Sequence, residues 1–217
     1  MKVVMLLSGG IDSATLAYYL KLDWQVYALT VDYGQKHVKE LQAAVNVAKA
    51  AGIAYKVLDL RVLGELLVSS LTTTAPIPEG HYTAVSQKST VVPNRNAILL
   101  NIAAGYALSI GADAVAYAAH ANDRTIYPDC RLEFVTALQG SLRFGTDTDL
   151  QLLAPFINVT KASIVKLGLQ LKVPYELTWS CYNGRAKACG RCGTCVERLE
   201  AFELNQAVDP IEYEVEV

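Results

Sequence analysis

The chain has 217 residues, 52% of them hydrophobic, and a formal net charge of −2. That length suits one domain that buries a sizeable core without disulfide staples. The near-neutral balance argues against a broad nucleic-acid surface, and no apolar run approaches the ~20 residues of a bilayer span, so neither nucleic acid nor membrane is expected as a partner. The opening apolar run is too short and too lightly flanked to read as a secretory signal, so a cytoplasmic protein is expected.

Val3-Val4-Met5-Leu6-Leu7 predicts a first strand, Ser8-Gly9-Gly10-Ile11-Asp12-Ser13 a turn, and Ala14 to Leu20 a helix. A glycine turn lets backbone approach a ligand closely. The helix N-terminus behind it offers unpaired N–H groups and partial positive charge, which together make an anion cradle. The loop is too short for a Walker A pattern and lacks its Gly-Lys-Ser/Thr ending. Candidate nucleotide-contacting residues are Leu7, Ser8, Gly9, Gly10, Ile11, Asp12, Ser13, Ala14, Thr15, Leu16 and Ala17.

Val26 to Val31 predicts a second strand. Leu41, Ala44, Val45 and Ala48 then fall on one helical face, with Gly52 as the stop. Tyr55 to Leu58 is a third strand. The stretch from Arg61 to Val92, with Pro76, Pro78 and Gly80, shows no period and reads as a lid over a substrate or as a neutral insertion. Asn96 to Leu108 is apolar nearly all round, the mark of a helix buried on most sides. A strand from Ala114 to Tyr117, a helix from Leu132 to Leu142 and a short strand from Leu152 to Ala154 follow. Thr160 is a candidate N-cap for a helix bearing Ile164, Leu167 and Leu171, and Val196 to Asn205 is a last helix. No linker is visible, so residues 1–217 are expected to form a single domain. Strands alternating with helices predict a doubly wound α/β fold, mainly parallel, with ligands at the carboxyl ends of strands. The loops at 8–13, 32–37, 60–95 and 118–130 are then the ones that matter.

Four of the five cysteines, Cys181, Cys189, Cys192 and Cys195, crowd into the C-terminal segment, and Cys130 stands apart. The spacing Cys-x7-Cys-x2-Cys-x2-Cys suits one zinc in a four-thiolate tetrahedron, which leaves no open position and is therefore structural. An iron–sulfur cluster is the alternative, although the proline that follows the bacterial ferredoxin pattern is missing. Residues 178–205 are the expected zinc-binding segment. Arg185, Lys187 and Arg191 sit nearby and can offset the thiolate charge.

Taken together, the chain resembles the 7-cyano-7-deazaguanine synthase (QueC) family within the PP-loop ATP pyrophosphatase-type superfamily. The resemblance runs through Ser8-Gly9-Gly10-Ile11-Asp12-Ser13, Asp32-Tyr33-Gly34-Gln35, Val92-Pro93-Asn94-Arg95-Asn96 and Tyr127-Pro128-Asp129-Cys130-Arg131. It continues through Pro155-Phe156 to Lys161, Trp179-Ser180-Cys181-Tyr182 and the cysteine cluster. It implies an adenine-nucleotide α-hydrolase-like fold and ATP with Mg²⁺ as co-substrate. The implied reaction turns 7-carboxy-7-deazaguanine and ammonia into the 7-cyano compound through an activated carboxylate.

By the same resemblance, Ser8, Gly9, Gly10 and Ser13 hold phosphates, and Lys161 is a second phosphate contact. Asp12 orders the loop or helps hold Mg²⁺. Arg95 contacts an anion and joins Asp12 and Lys161 as the expected catalytic set. A carboxylate suits the donor edge of a guanine-like base, with Asp129 first and Glu133 second. Arg131 is a candidate for the substrate carboxylate, and Tyr127 and Phe134 for stacking. Cys130 reads as a nucleophile or as a small buried residue, and His37 and His81 as proton acceptors or incidental. A PP-loop tRNA-thiolating enzyme and a non-catalytic zinc-binding interaction protein stay open as alternatives. The tail Ile211-Glu212-Tyr213-Glu214-Val215 could pair with a second copy in a homodimer.

Overall fold

A computed structural model describes residues 1–214. Five strands form one parallel sheet: β1 (Lys2–Leu6), β2 (Gln25–Asp32), β3 (Ala54–Asp59), β4 (Ala114–Ala116) and β5 (Gln151–Leu153). Their order is β3-β2-β1-β4-β5. The chain starts at the centre, winds outward to β3, then crosses back to β4 on the other side of β1. The switch point therefore lies between β1 and β4, where the loops leaving both strands open a crevice.

The helices are α1 (Ile11–Leu20), α2 (Lys39–Ala51), α3 (Val62–Leu66), α4 (Arg95–Ser109), α5 (Leu132–Thr146), α6 (Lys161–Gln170) and α7 (Gly193–Glu203). Alternate residues of β1 feed two cores. Val3 and Met5 pack with Ile11, Ala44, Val47, Ile164 and Phe202 under α1, α2, α6 and α7. Val4 packs with Leu100, Ala103, Ala104 and Leu138 under α4 and α5. Coverage on both faces explains why the strands are unbroken apolar runs rather than alternating ones. Leu100 is fully buried, and truncation to Ala would cost about 2–5 kcal/mol.

Local signals set the helix ends. Gly52 takes a left-handed φ of 64° beyond α2, and Thr160 Oγ1 accepts the Ser163 N–H at 3.3 Å to cap α6. The elements differ from expectation mainly where they are short. α7 starts at Gly193, earlier than expected, because Cys192 serves as its N-cap. The stretch 61–92 is not structureless: it holds α3 and a 3-10 turn at Val85–Thr90, each too brief to show a period. It is anchored by the buried Leu71 and by a bridge between Glu79 and Cys192.

Candidate active site

The loops at the switch point enclose a cavity of about 240 Å³. Ser8, Gly10 and Ser13 line one side, Tyr33, Arg95 and Tyr127 another, and Lys161 and Glu197 a third. Tyr82 and Gln87 cover it from the 61–92 stretch.

The two loop glycines do different work. Gly9 has a φ of +89°, and a Cβ there would lie 2.2 Å from the Glu40 carbonyl oxygen and 2.7 Å from the Ala44 nitrogen. Its missing side chain lets the loop touch the backbone of α2. Gly10 has ordinary dihedrals, and its Cβ would meet nothing closer than Ser8 Oγ at 3.7 Å. Only the cavity side makes a demand there. Ser8 Oγ and Ser13 Oγ lie 3.0 Å apart, and Ser13 Oγ receives the Ser8 N–H at 3.2 Å. Of residues 7–17, Leu7, Ser8, Gly10, Asp12 and Ser13 line the cavity. Ile11, Ala14, Thr15, Leu16 and Ala17 are buried in α1 behind it.

Behind the loop lies a cluster of charges. Lys161 Nζ, at the start of α6, stands 3.1 Å from Asp12 Oδ2 and 2.5 Å from Glu197 Oε2. His120, on the loop after β4, places Nε2 3.3 Å from Asp123 Oδ2 and 3.6 Å from Asp12 Oδ2. Burial alone would raise the Asp12 carboxyl, but Lys161 and His120 hold it well below the usual range. Burial would lower His120, yet Asp123 and Asp12 push it up to about 9, so it is an imidazolium at neutral pH. Lys161 is likewise held as a cation against its burial, by Asp12 and Glu197. Burial pushes the Glu197 carboxyl up. Asp12 Oδ1 and Glu197 Oε1 are buried without a partner among the described residues. His120, Asp123 and Glu197 are members of this cluster that the sequence reading did not single out. The first two sit in a loop marked as important, whereas nothing about position 197 signals its destination.

Arg95 opens α4 directly after Asn94, which adopts a left-handed φ of 54°. Its NH1 donates to Tyr33 OH at 3.2 Å, and its guanidinium lies 5.6 Å from the Tyr33 ring centre. Burial opposes its charge, but Tyr33 and Asp129 favour it. Burial pushes the Tyr33 phenol up to about 12, so it remains a neutral donor. Tyr127 OH sits 2.6 Å from Thr90 Oγ1 and 3.4 Å from Tyr182 OH, completing a ring of hydroxyls near the guanidinium.

Asp129 stands one layer back, its Oδ2 accepting the Asn96 N–H at 3.4 Å. Arg131 is exposed and donates to the Arg124 carbonyl oxygen at 3.0 Å, and Glu133 is exposed on the first turn of α5. These three are not among the residues lining the cavity. Tyr127 lines it, while Phe134 packs against the second core. Cys130 lines it too, but burial and the Asp123 carboxylate push its thiol far up, which suits a buried thiol and not a thiolate nucleophile. His81 stacks on Tyr82 at 4.1 Å outside the cavity, and His37 is buried in the cavity wall.

The four clustered cysteines are buried, and their sulfurs lie within 4.8 Å of one another. Zinc–sulfur bonds of about 2.3 Å in a tetrahedron need sulfurs about 3.8 Å apart. Cys189 and Cys195 sulfurs are 3.9 Å apart, and those of Cys192 and Cys195 are 3.5 Å apart, so the donor set fits such an ion. Backbone N–H groups of Cys189, Arg191 and Cys192 point at cluster sulfurs at 3.3–3.4 Å. The basic side chains do not serve as expected. Arg185 pairs with Glu214, Lys187 with Glu212 and Arg191 with Glu79, all exposed surface pairs. Glu212 and Glu214 also exchange backbone hydrogen bonds with Ala188, so this part of the tail pairs within the chain. Val215 lies outside the described residues.

The model for "Queuosine biosynthesis protein QueC" matches residues 2–206. A 7-cyano-7-deazaguanine synthase of Archaeoglobus fulgidus is 54% identical over 215 residues, which cover 97% of this chain and 90% of that protein. The 7-cyano-7-deazaguanine synthase 1 of Colwellia psychrerythraea is 51% identical over 215 residues, 98% of this chain and 99% of that one. Among solved structures, NMN synthetase from Francisella tularensis has a TM-score of 0.51 at 18% identity, covering 95% of this chain and 78% of its own, a likeness of fold alone. No helix among the described residues is long and apolar enough to cross a membrane. With a phosphate-type loop at the switch point, a buried lysine beside it and four converging cysteines, all within one matched span, the chain belongs to the QueC family of queuosine biosynthesis proteins.

Proposed function

We propose that this chain is an ATP-dependent ligase that converts 7-carboxy-7-deazaguanine and ammonia to 7-cyano-7-deazaguanine. The observation that carries this reading is one cavity that joins the phosphate-type loop to Arg95 and its phenols. A carboxylate resists attack because its oxygen leaves poorly. Adenylyl transfer from ATP turns that oxygen into a good leaving group, and ammonia then displaces it to give an amide. A second activation removes the amide oxygen and leaves the nitrile.

The residues divide this work. Loop N–H groups and the Ser8 and Ser13 hydroxyls hold phosphates, which agrees with an open cavity face at Gly10. Lys161 is the cation nearest the loop among the residues that line the cavity. Arg95 holds the substrate carboxylate, and the neutral Tyr33 phenol steadies charge that develops on its oxygens. Asp129 fixes the first turn of α4, and so the direction of Arg95. Asp12, whose Oδ1 lacks a partner among the described residues, fits a Mg²⁺ ion that neutralises the phosphates of bound ATP. The four cysteines hold one structural zinc, which ties residues 178–205 to the single domain. Five unbridged cysteines suit the reducing cytoplasm.

The test is direct. Purified protein with ATP, Mg²⁺, ammonium and the carboxylated deazaguanine should form the nitrile, and omission of any one should stop it. Gly10→Val should abolish turnover while the unfolding midpoint stays near wild type. A fully active Gly10→Val variant, or a wild type that forms no nitrile, refutes the assignment.

A further inference from the structure

Between the phosphate-type loop and Arg95, the cavity wall carries a histidine with an unusual set of partners. His37, just after β2, is 3% exposed and lines the cavity. Its Nε2 lies 2.9 Å from Glu40 Oε2. Glu40 Oε1 accepts a hydrogen bond from Gln35 Nε2 at 2.8 Å, and Gln35 Oε1 accepts the Tyr33 N–H at 2.8 Å. The relay pins the imidazole from behind. A carboxylate only accepts, so in the neutral ring Nε2 carries the proton and Nδ1 keeps a lone pair. That Nδ1 is buried and has no partner among the described residues. A buried acceptor is rarely left unpaired, so an unpaired one on a residue of the cavity wall marks a place for a hydrogen-bond donor.

Position narrows what it meets. On one side, the Glu40 backbone carbonyl abuts Gly9 of the loop. On the other, the His37 ring leans on the Tyr182 ring with centres 5.2 Å apart, and Tyr182 OH is 3.4 Å from Tyr127 OH. His37 thus stands between the loop and the phenols around Arg95, where an activated carboxyl carbon would lie. Apart from Glu40, the other basic candidates in the cavity belong to the charge cluster or stay protonated; Asp12 Oδ1 and Glu197 Oε1 also lack a partner among the described residues, but each carboxylate is already bonded to Lys161 through its other oxygen. Lys161 is a paired cation, Asp12 is bonded to it, Asp123 faces His120, and the Cys130 thiol stays protonated.

We infer that His37, oriented by Glu40, is the catalytic base that takes a proton from ammonia as it attacks the activated carboxyl group. The inference rests on the ligase reading above. The nitrogen lone pair forms the C–N bond while the carbonyl π pair moves onto oxygen. The nitrogen, now positive, gives one proton to Nδ1. Collapse re-forms the carbonyl and expels AMP, leaving an amide and an imidazolium that loses its proton to solvent.

The test compares two nucleophiles in the full-length enzyme. In His37→Gln, kcat/KM for ammonium should fall by roughly 100-fold or more, the usual contribution of a positioned base. The KM values for ATP and for the carboxylated deazaguanine should stay near wild type. Hydroxylamine, a stronger nucleophile whose adduct sheds its proton more easily, should lose less than about tenfold. Glu40→Gln, which keeps His37 but removes its orienting charge, should show the same pattern more weakly. Equal losses for ammonium and hydroxylamine, or a raised KM for the deazaguanine, would make His37 a structural or substrate-binding residue and overturn the inference. So would an unchanged variant beside an active wild type. A wild type that makes no nitrile would instead refute the ligase reading itself.

Discussion

Two buried clusters of ionisable groups meet along α7. Cys192 caps that helix, Cys195 lies in its first turn, and Lys161 donates to Glu197 in the next turn. The cysteine cluster is of one kind: four thiols that would all carry negative charge as ligands. It can be buried in that form only around a cation brought from outside. The other cluster alternates. Carboxylates of Asp12, Asp123 and Glu197 face the cations of Lys161 and His120, so most of its charge is balanced within the chain. On the function proposed above, the difference separates a fold support that depends on an ion from a reactive site that is preorganised by its own side chains.

Metal removal should have the largest effect, because the thiol cluster has no internal cation. Binding of structural zinc is worth roughly 10–16 kcal/mol in small sites, and 1 kcal/mol moves the midpoint by about 2–4 °C in a chain of this size. Chelation, or Cys189→Ser, should therefore lower the unfolding midpoint by about 20 °C or more. Metal analysis should find about one zinc per chain before treatment. Cys130→Ala, which removes only a small buried side chain, should change the midpoint by a few degrees at most. Equal effects of the two substitutions would erase the distinction between the clusters.

Next in size is Lys161→Met. It strips the shared cation from Asp12 and Glu197, so that the buried Glu197 carboxylate loses its partner and Asp12 keeps only His120. Breaking a buried pair costs about 3–5 kcal/mol, so thermal unfolding should fall by about 6–20 °C. Glu197→Gln should cost less, since Lys161 keeps Asp12. A Lys161→Met/Glu197→Leu double variant should recover part of the loss, because it removes the stranded charge together with its partner. Additive losses would mean that the two residues do not act as one unit.

The same contrast explains which parts were legible in the sequence. The cysteine cluster and the phosphate-type loop are each written in a short contiguous stretch, so spacing alone exposes them. Gly52 and Thr160 likewise act on the chain next to them. The charge cluster is assembled by topology, from the starts of α1 and α6, the loop after β4 and the interior of α7. Asp12 and Lys161 were visible through the motifs of a family, but their bond to Glu197 was not, because no local period records which helices meet. Gly9 shows the same limit. Its need for glycine was readable, but the partner that imposes it, the backbone of α2, is a tertiary fact. Asp129 lies on a loop that follows a strand, but the fold turns its carboxylate toward the Asn96 N–H.

A pH series sharpens the comparison further. His120 is raised from 6.5 to about 9 in the fold, so its contribution is complete below pH 6.5 and is lost as pH rises through about 9. That displacement corresponds to about 3 kcal/mol at most. Wild type should therefore exceed His120→Gln in stability by more at pH 6 than at pH 9.5, as read from urea unfolding at each pH. Asp12 acts in the opposite sense. Its depressed carboxyl contributes above the ordinary carboxylate range and loses that contribution as pH falls. A gap between wild type and His120→Gln that widened with rising pH would remove the imidazolium from the cluster.

The smallest effect should come from Arg191→Ala, and its smallness is informative. Arg191 lies beside the thiols in sequence and would be the obvious counter-charge for them. Its side chain instead pairs with Glu79 at 3.1 Å in an exposed position, where solvent screens the bond. What Arg191 gives the cluster is its backbone N–H, 3.4 Å from Cys189 Sγ, which alanine supplies equally well. Metal content should stay at one ion per chain, and the unfolding midpoint should move by less than about 2 °C. A lost ion in this variant would mean that the thiolates draw on nearby surface cations after all. They would then be balanced from within the chain, as the Lys161 cluster is, and the contrast between the two sites would fail.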